Sequence, residues 1–258
     1  MRAVSIDADA LVLTSRIWQT NATVLRCGAE ALLIDSPYLP DELELLPSLL
    51  GQAGFEVDAL LATHADFDHL LGRLAFPDLA LGVGESTALR LRAGPGAPQR
   101  ALRGSDGELY LKRPRPLSLG AIQSLPVPGR LELGAEELEL HSAPGHTADG
   151  TSVFAPWLGV LVAGDYLSDV ELPMISPGGS LADYRATLEA LIELAERATT
   201  IVPGHGSTLD REAALKIGEA DLGYLAALER SEQRPPLPKG RDGARQRQIH
   251  EANLREIG

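Results

Sequence analysis

The chain is 258 residues long, with 44% hydrophobic and 23% charged residues, an ordinary globular composition that excludes disorder throughout. Its 36 acidic residues outnumber 23 basic ones, for a formal charge of −13, and such a chain has no overall field to draw in nucleic-acid phosphates or an anionic membrane. Cys27 is the only cysteine, which excludes an intramolecular disulfide, a cysteine-based zinc finger and an iron–sulfur cluster.

Asp7 and Asp9 interrupt the N-terminal segment where a signal peptide needs an apolar run, and no stretch of 18 or more apolar residues occurs; the expectation is a cytoplasmic protein that does not span a membrane. Residues 17–26 and 31–35 read as two strands joined by the turn Cys27-Gly28-Ala29-Glu30. Residues 40–50 read as a helix with Leu43, Leu46, Leu49 and Leu50 on one face, ended by Gly51 and Gly54. A buried strand at 58–63 leads into a loop at 64–69 and a short helix from about His69, followed by a strand at 79–83 and a helix at 85–92. Residues 93–118, rich in Gly, Pro and Arg and without a sustained period, read as a long loop or insertion.

Short strands at 121–125, 130–133 and 137–142 follow, then a hairpin of 152–155 and 159–163 turning at Pro156-Trp157-Leu158. The clearest helix covers 181–198, with Tyr184, Leu188, Leu191 and Ala195 on one face and a cap from Ser180 with Asp183. A strand at 200–203, a helix at 211–229, the Pro-rich break 234–240 and a terminal helix at about 241–257 complete an α/β layered chain. Positive charge gathers in two places. Residues 90–115 carry seven basic and two acidic side chains, and 230–258 carry seven and four. The stretches read either as solvated surface or as a local attraction for an anionic small substrate.

The segment Thr63-His64-Ala65-Asp66-Phe67-Asp68-His69 packs four candidate metal ligands into six positions after a strand, a pattern that chance produces in about one of two thousand such chains. Three later segments each place one more candidate after a strand and beside small residues. They are His146 in Pro-Gly-His-Thr, Asp165 in Ala-Gly-Asp and His205 in Pro-Gly-His-Gly. Glycine and proline at these points permit tight turns and close backbone approach. Four imidazoles and three carboxylates suffice for two cations that share one carboxylate.

On these segments, in this order, the chain resembles the metallo-β-lactamase-fold hydrolases over roughly residues 15–210, and within them the hydroxyacylglutathione-hydrolase-like group. Asn21 and the strand end Ile34-Asp35 match the opening hairpin. The resemblance implies an αββα sandwich, two mixed sheets face to face with helices outside. It implies a catalytic domain over 1–210, with the insertion at about 93–118 and a helical extension at 211–258 packed on it. Carried over, His64, Asp66 and His146 hold one divalent metal, Asp68, His69 and His205 a second, and Asp165 bridges both. Zinc is the first expectation, a water or hydroxide between the metals is the nucleophile, and Asp68 helps to orient it. The implied activity is hydrolysis of an ester, thioester or lactone-like bond in a small molecule, with no nucleic-acid or membrane partner expected and a homodimer left open.

One position departs from the family's H-x-H-x-D-H segment: Asp66 stands where a histidine is usual. A carboxylate adds negative charge and a harder donor, which shifts preference toward manganese or iron and keeps an iron-dependent redox or dioxygenase activity as an alternative. Phosphodiester cleavage is a second alternative, supported by the basic stretch and opposed by the net charge. Asp66 could instead cap the short helix, and Asp35 could orient a ligand or merely form a turn. Phe67 and Tyr166 are candidates for lining the substrate pocket, Tyr166 as an oxyanion donor; Trp18 and Met174 could join them or belong to the core. His141 and His250 are expected to be packing or surface residues, and Cys27 inert.

Overall fold

Alternation along single strands decides the layers. In the computed structural model, which describes residues 1–230 and 235–257, Ala31 and Leu33 point to one face of their strand and Leu32 and Ile34 to the other, and all four are buried. A strand buried on both faces needs a helical layer on one side and a second sheet on the other.

The elements in chain order are β1 (Arg2–Asp7), β2 (Ala10–Thr14), β3 (Asn21–Cys27), β4 (Glu30–Asp35), α1 (Pro40–Gln52), β5 (Val57–Ala62), a 3₁₀ turn (Phe67–His69), α2 (Gly72–Ala75), β6 (Leu81–Gly84), α3 (Glu85–Ala93), α4 (Ala97–Glu108) and β7 (Ile122–Leu125). There follow β8 (Gly129–Leu133), β9 (Glu136–Ser142), β10 (Thr151–Ala155), β11 (Val160–Gly164), α5 (Leu181–Ala195), β12 (Thr200–Pro203), β13 (Leu209–Asp210), α6 (Arg211–Glu229) and α7 (Ala244–Ile257).

One sheet has seven strands in the order β1-β2-β3-β4-β5-β6-β7, the other six in the order β13-β12-β11-β10-β9-β8. Both are mixed. β4, β5, β6 and β7 run parallel to one another, and so do β11 and β12, while the other pairs are antiparallel. Val12, Leu25, Ile34 and Leu61 of the first sheet meet Leu138, Leu140, Val153, Val162 and Val202 of the second in the central core. The outer face of the first sheet packs on α1 through Leu43, Leu46 and Leu50 and on α3 through Ala88 and Leu91. The outer face of the second packs on α5 and α6 through Leu188, Leu191, Tyr224 and Leu225. This is the expected αββα sandwich. α5 carries its expected cap, with Ser180 Oγ accepting from Asp183 N at 3.0 Å. No helix among the described residues is long and apolar enough to cross a membrane.

Three expectations need correction, and one segment carried no expectation of structure. The first residues, read from the sequence only for what they exclude, form β1 and β2, and the short β2 is buried along its whole length. The strand expected at 17–26 begins only at Asn21, because Trp18 and Gln19 both adopt a left-handed backbone (φ 52°). The long loop at 93–118 contains α4. Its glycines Gly104 and Gly107 weaken the helical signal, but Pro98 and Leu102 are buried, and Tyr38 Oη donates to Ser105 Oγ at 2.9 Å while Arg113 grips Asp106 at 2.8 Å. The terminal helix starts at Ala244 rather than near 241; the first residue of the Pro-rich break, Arg234, lies outside the described residues.

At one end of the sandwich the two sheets are stitched together. Asn21 N donates to Gly204 O at 2.8 Å and its side-chain amide to Pro203 O at 2.8 Å. Thr151 N donates to Thr63 O at 2.8 Å. The carboxyl ends of β4, β5, β11 and β12 converge there, where α/β sheets commonly present reactive groups.

Candidate metal centre

The chain leaves β5 at Ala62 and turns through Thr63 to His69. Asp35, at the end of the adjacent parallel strand β4, organises that turn. Its Oδ1 accepts from Thr63 N at 2.8 Å, and its Oδ2 from Thr63 Oγ1 and from His69 Nδ1, both at 2.9 Å. Thr63 Oγ1 spends its proton on Asp35, so in its 3.0 Å bond to His64 it accepts from Nδ1. One buried carboxylate thereby fixes the ring orientation and tautomer of two histidines and leaves both Nε2 atoms free to face inward.

The other two histidines are held in the same sense by backbone carbonyls. His146 follows β9 through Pro144 and Gly145. Gly145 has φ 124°, and a Cβ there would overlap the backbone of Tyr184. His146 Nδ1 donates to Met174 O at 2.7 Å, and His205 Nδ1 to Trp18 O at 3.1 Å. The left-handed backbone of Trp18 and Gln19 is strain held where it aims that carbonyl. Asp165 follows β11. Gly204, just before His205, is a close-approach position, where a Cβ would overlap Asp165 Oδ1.

All seven expected ligands meet at this end of the sandwich. Asp165 is central. Its Oδ1 lies 3.2 Å from His69 Nε2, and its Oδ2 lies 3.3 Å from His146, 3.6 Å from His64 and 3.6 Å from His205, each at Nε2. Asp66 Oδ2 is 3.5 Å from His146 Nε2 and 3.9 Å from His64 Nε2. Asp68 Oδ2 is 3.4 Å from His205 Nε2 and 3.9 Å from His69 Nε2. Three overlapping groups could each hold a cation: His64 with Asp66 and His146, Asp68 with His69 and His205, and His64 with His69 and Asp165. Three atoms at the centre, His64 Nε2, His69 Nε2 and Asp165 Oδ1, are buried with no hydrogen-bond partner among the described residues. Buried polar atoms without partners are costly, and here they converge on a nitrogen–oxygen donor set that suits a divalent cation.

Among themselves the seven groups trade protons. Burial lowers His146, but its hydrogen bond to Asp66 and the charge of Asp165 outweigh that and push it up to about 9. His69 and His205 also rise well above the ordinary imidazole range against the pull of burial, driven first by Asp165. His64 is lowered by burial and by the neighbouring His69. Burial raises Asp66 and Asp165, but His146 for the former and His69 for the latter hold both far below the usual carboxylate range.

Asp66 does not cap the 3₁₀ turn; its side chain makes no capping bond. Its Oδ1 instead accepts from Arg90 Nη2 at 2.7 Å, and Arg90 Nη1 donates to Asp149 Oδ1 at 2.7 Å. Asp149 is fixed by Ala65 N at 2.9 Å and Thr147 Oγ1 at 2.8 Å. Sequence reasoning missed both Arg90 and Asp149. Asp149 lies three residues beyond His146, which is a signal of sorts; Arg90 lies 24 residues from Asp66 on a different element and has none.

Phe67 packs with Trp18 and Tyr38, ring centroids 6.3 and 6.2 Å away. It also lines a groove of about 290 Å³ with Leu91, Ala97, Pro98 and Ala101, which opens beside Asp66 and Arg90. Tyr166 is buried, and its hydroxyl donates to Pro144 O at 2.7 Å and accepts from His146 N at 3.0 Å, so it props the His146 loop. Met174 contributes its carbonyl. His141 pairs with Glu139 at 3.2 Å, and His250 with Tyr224 Oη at 3.0 Å, neither within the cluster. Cys27 is a half-buried free thiol.

Comparison with known proteins agrees with this geometry. The family model described as "Metallo-beta-lactamase superfamily" matches residues 16–205. Among curated proteins, "Acyl-coenzyme A thioesterase MBLAC2" of Homo sapiens is 28% identical over 167 residues, 61% of this chain and 59% of that protein. "Beta-lactamase-like protein 2 homolog" of Caenorhabditis elegans is 23% identical over 194 residues, 74% of this chain and 57% of that one. The chain thus spans under three fifths of the length of these relatives. Among solved structures, "Metallo-beta-lactamase from Pontibacter korlensis" superposes with a TM-score of 0.61 at 19% identity, covering 84% of this chain and 98% of that one. The DIM-1 metallo-beta-lactamase superposes with a TM-score of 0.60 at 18% identity, covering 84% and 96%.

Proposed function

The chain belongs to the metallo-β-lactamase superfamily, and from that premise we propose that it is a metal-dependent hydrolase of acyl thioesters. The observation that carries this is that Asp66 of the cluster lines, with Arg90, the groove that Phe67, Leu91, Ala97, Pro98 and Ala101 make apolar. An acyl chain fits such walls, and its carbonyl end would then lie beside Asp66. The thioesterase named among the relatives supports the same choice.

His64, Asp66 and His146 would hold one cation, Asp68, His69 and His205 the other, and Asp165, which lies within 3.6 Å of histidines of both groups, would serve both. Zinc suits the imidazoles, and the three carboxylates also admit manganese or iron. Such cations supply polarisation of the scissile carbonyl and acidify water toward neutral pH. The protein's own contribution is to keep four Nε2 lone pairs inward through Asp35, Thr63, Met174 O and Trp18 O. Asp68 is buried, which raises its carboxyl, but His69 holds it below the usual carboxylate range, and it would also serve to orient the attacking water.

The test is thiol release from a series of acyl-coenzyme A thioesters by protein loaded with zinc, manganese or iron, run beside esters, lactones and phosphodiesters. Thioester hydrolysis that a chelator abolishes and added metal restores is expected. Cleavage of phosphodiesters alone, or oxygen consumption by iron-loaded protein without hydrolysis, would overturn the proposal in favour of the corresponding alternative.

A further inference from the structure

We propose that Arg90 is a positioning residue that makes Asp66 serve in place of an imidazole; this rests on the assignment of Asp66 as a metal ligand made above. The departure from the H-x-H-x-D-H pattern at Asp66 creates two physical problems. A carboxylate has two equivalent oxygens and can swing between them, whereas an imidazole offers one aimed lone pair. A carboxylate also brings a negative charge where the imidazole is neutral.

Arg90 answers both. Its Nη2 takes Asp66 Oδ1 at 2.7 Å, leaving Oδ2 as the oxygen that faces His64 Nε2 and His146 Nε2. Its Nη1 is anchored at 2.7 Å on Asp149 Oδ1. Asp149 cannot follow a swing of Asp66, because it is itself pinned by the Ala65 amide and the Thr147 hydroxyl. Arg90 is thus the counterpart, for a carboxylate, of what Asp35 does for His69: an outer hydrogen bond that sets which ligand atom points inward. It also sets a permanent positive charge beside the negative charge that Asp66 adds, and shares that positive charge with the Asp149 carboxylate at the same 2.7 Å. A guanidinium suits this bridge because its planar fork reaches two carboxylates at once. The side chain is one-third exposed on α3, but its partner Asp149 is buried, so loss of Arg90 is expected to cost stability whether or not Asp66 is present.

The test uses the full chain, stripped of metal and titrated with zinc, then manganese, against a chromophoric chelator. Arg90→Gln is made in the natural background and in an Asp66→His background. In the natural background the variant is expected to bind zinc about 10- to 100-fold more weakly than the parent. In the Asp66→His background the same change should leave affinity unchanged or raise it, since a cation beside a neutral ligand only repels the metal. Thermal unfolding of the stripped proteins should show a similar drop on Arg90→Gln in both backgrounds, because the buried Asp149 loses the same partner in each. If Arg90→Gln does not fold, Arg90→Lys carries the same comparison, because lysine keeps the charge but cannot span both carboxylates. An equal loss in both backgrounds, or none in the natural one, overturns the role of Arg90 alone. Absence of metal binding by the parent chain overturns the ligand assignment along with it.

Discussion

His69 Nδ1 donates to Asp35 Oδ2 at 2.9 Å, linking the end of β4 to the 3₁₀ turn that follows the neighbouring parallel strand β5, across 34 residues of chain. The same carboxylate holds Thr63, and through it His64. Asp35→Ala should therefore unfix two imidazoles at once. Metal affinity is expected to fall about 10- to 100-fold, measured by chelator competition; an unchanged affinity would reduce Asp35 to a turn former.

Asp165 touches both halves of the cluster, and His146 faces Asp66 and Asp165 together. Asp165→Ala and His146→Ala should each lower metal content and hydrolysis by orders of magnitude. His141→Ala should change neither, because His141 is paired with Glu139 outside the cluster. Elemental analysis of the three variants decides the point, and metal loss in the His141 variant with retention in the His146 variant would reverse the assignment.

Gly204 owes its identity to Asp165. An added Cβ would overlap Asp165 Oδ1 and press on His69 Cε1 at 3.0 Å. Gly204→Ala should cost about 1–3 kcal/mol, the usual range for an overpacked site, and should lower metal content although no ligand is altered. Urea unfolding and elemental analysis check the two effects separately; normal metal content would show that the strand end shifts freely.

The pH dependence of the metal-stripped protein has a definite sign. His146 is held at about 9 when folded, against about 6.5 for a free imidazole. A group whose folded pKa is raised contributes its full stability below about 6.5 and loses it as pH climbs through about 9. His69 and His205 shift in the same direction. The melting temperature of stripped protein should fall between pH 6.5 and 9, and zinc-loaded protein should not show that fall. A flat profile for the stripped protein would contradict the proton sharing described above.

Arg241, ahead of α7, pairs with Asp221 of α6 at 2.6 Å, both side chains almost fully buried, and its guanidinium also donates to Glu171 O at 2.8 Å. Burial pushes the Asp221 carboxyl up to about 7. Arg241→Ala leaves that carboxyl in the interior without its partner, which should push it further up and, at neutral pH, cost about 1–3 kcal/mol for the lost hydrogen bond. Chemical denaturation measures this, and a loss below about 1 kcal/mol would show that Asp221 sheds its charge without penalty.

The candidate ligands were legible in the sequence for a local reason. His64, His146, Asp165 and His205 each follow a run with period-2 or continuous apolar character, and the last three sit beside glycine, so residue type and strand end can be read together over six or seven positions. The α/β layering was legible in the same way, through short apolar strand runs and the apolar face of α5, whereas the αββα sandwich was implied only by the resemblance that the ligand segments carry. Residues 97–108 were not, because Gly104 and Gly107 mask a helix that Tyr38 and Arg113 secure from elsewhere in the chain. β2 was not assigned either, since a short strand buried on both faces carries no alternation of its own, and neither was β1, which pairs with it and is exposed or half-buried throughout.

By itself, then, the sequence determined which groups could bind a cation, in what order they occur, and that nitrogen and oxygen must do the holding in a chain with one cysteine. Only the tertiary structure decided how they are aimed. The carbonyls of Trp18 and Met174, the choice of Asp35 as an orienting carboxylate, and the meeting of Arg90 with Asp66 and Asp149 depend on which elements pack together. Spacing along the chain constrains neighbours within a turn or a strand, whereas hydrogen bonds between distant residues form only when burial of the two sheets and their helices brings those residues to one edge.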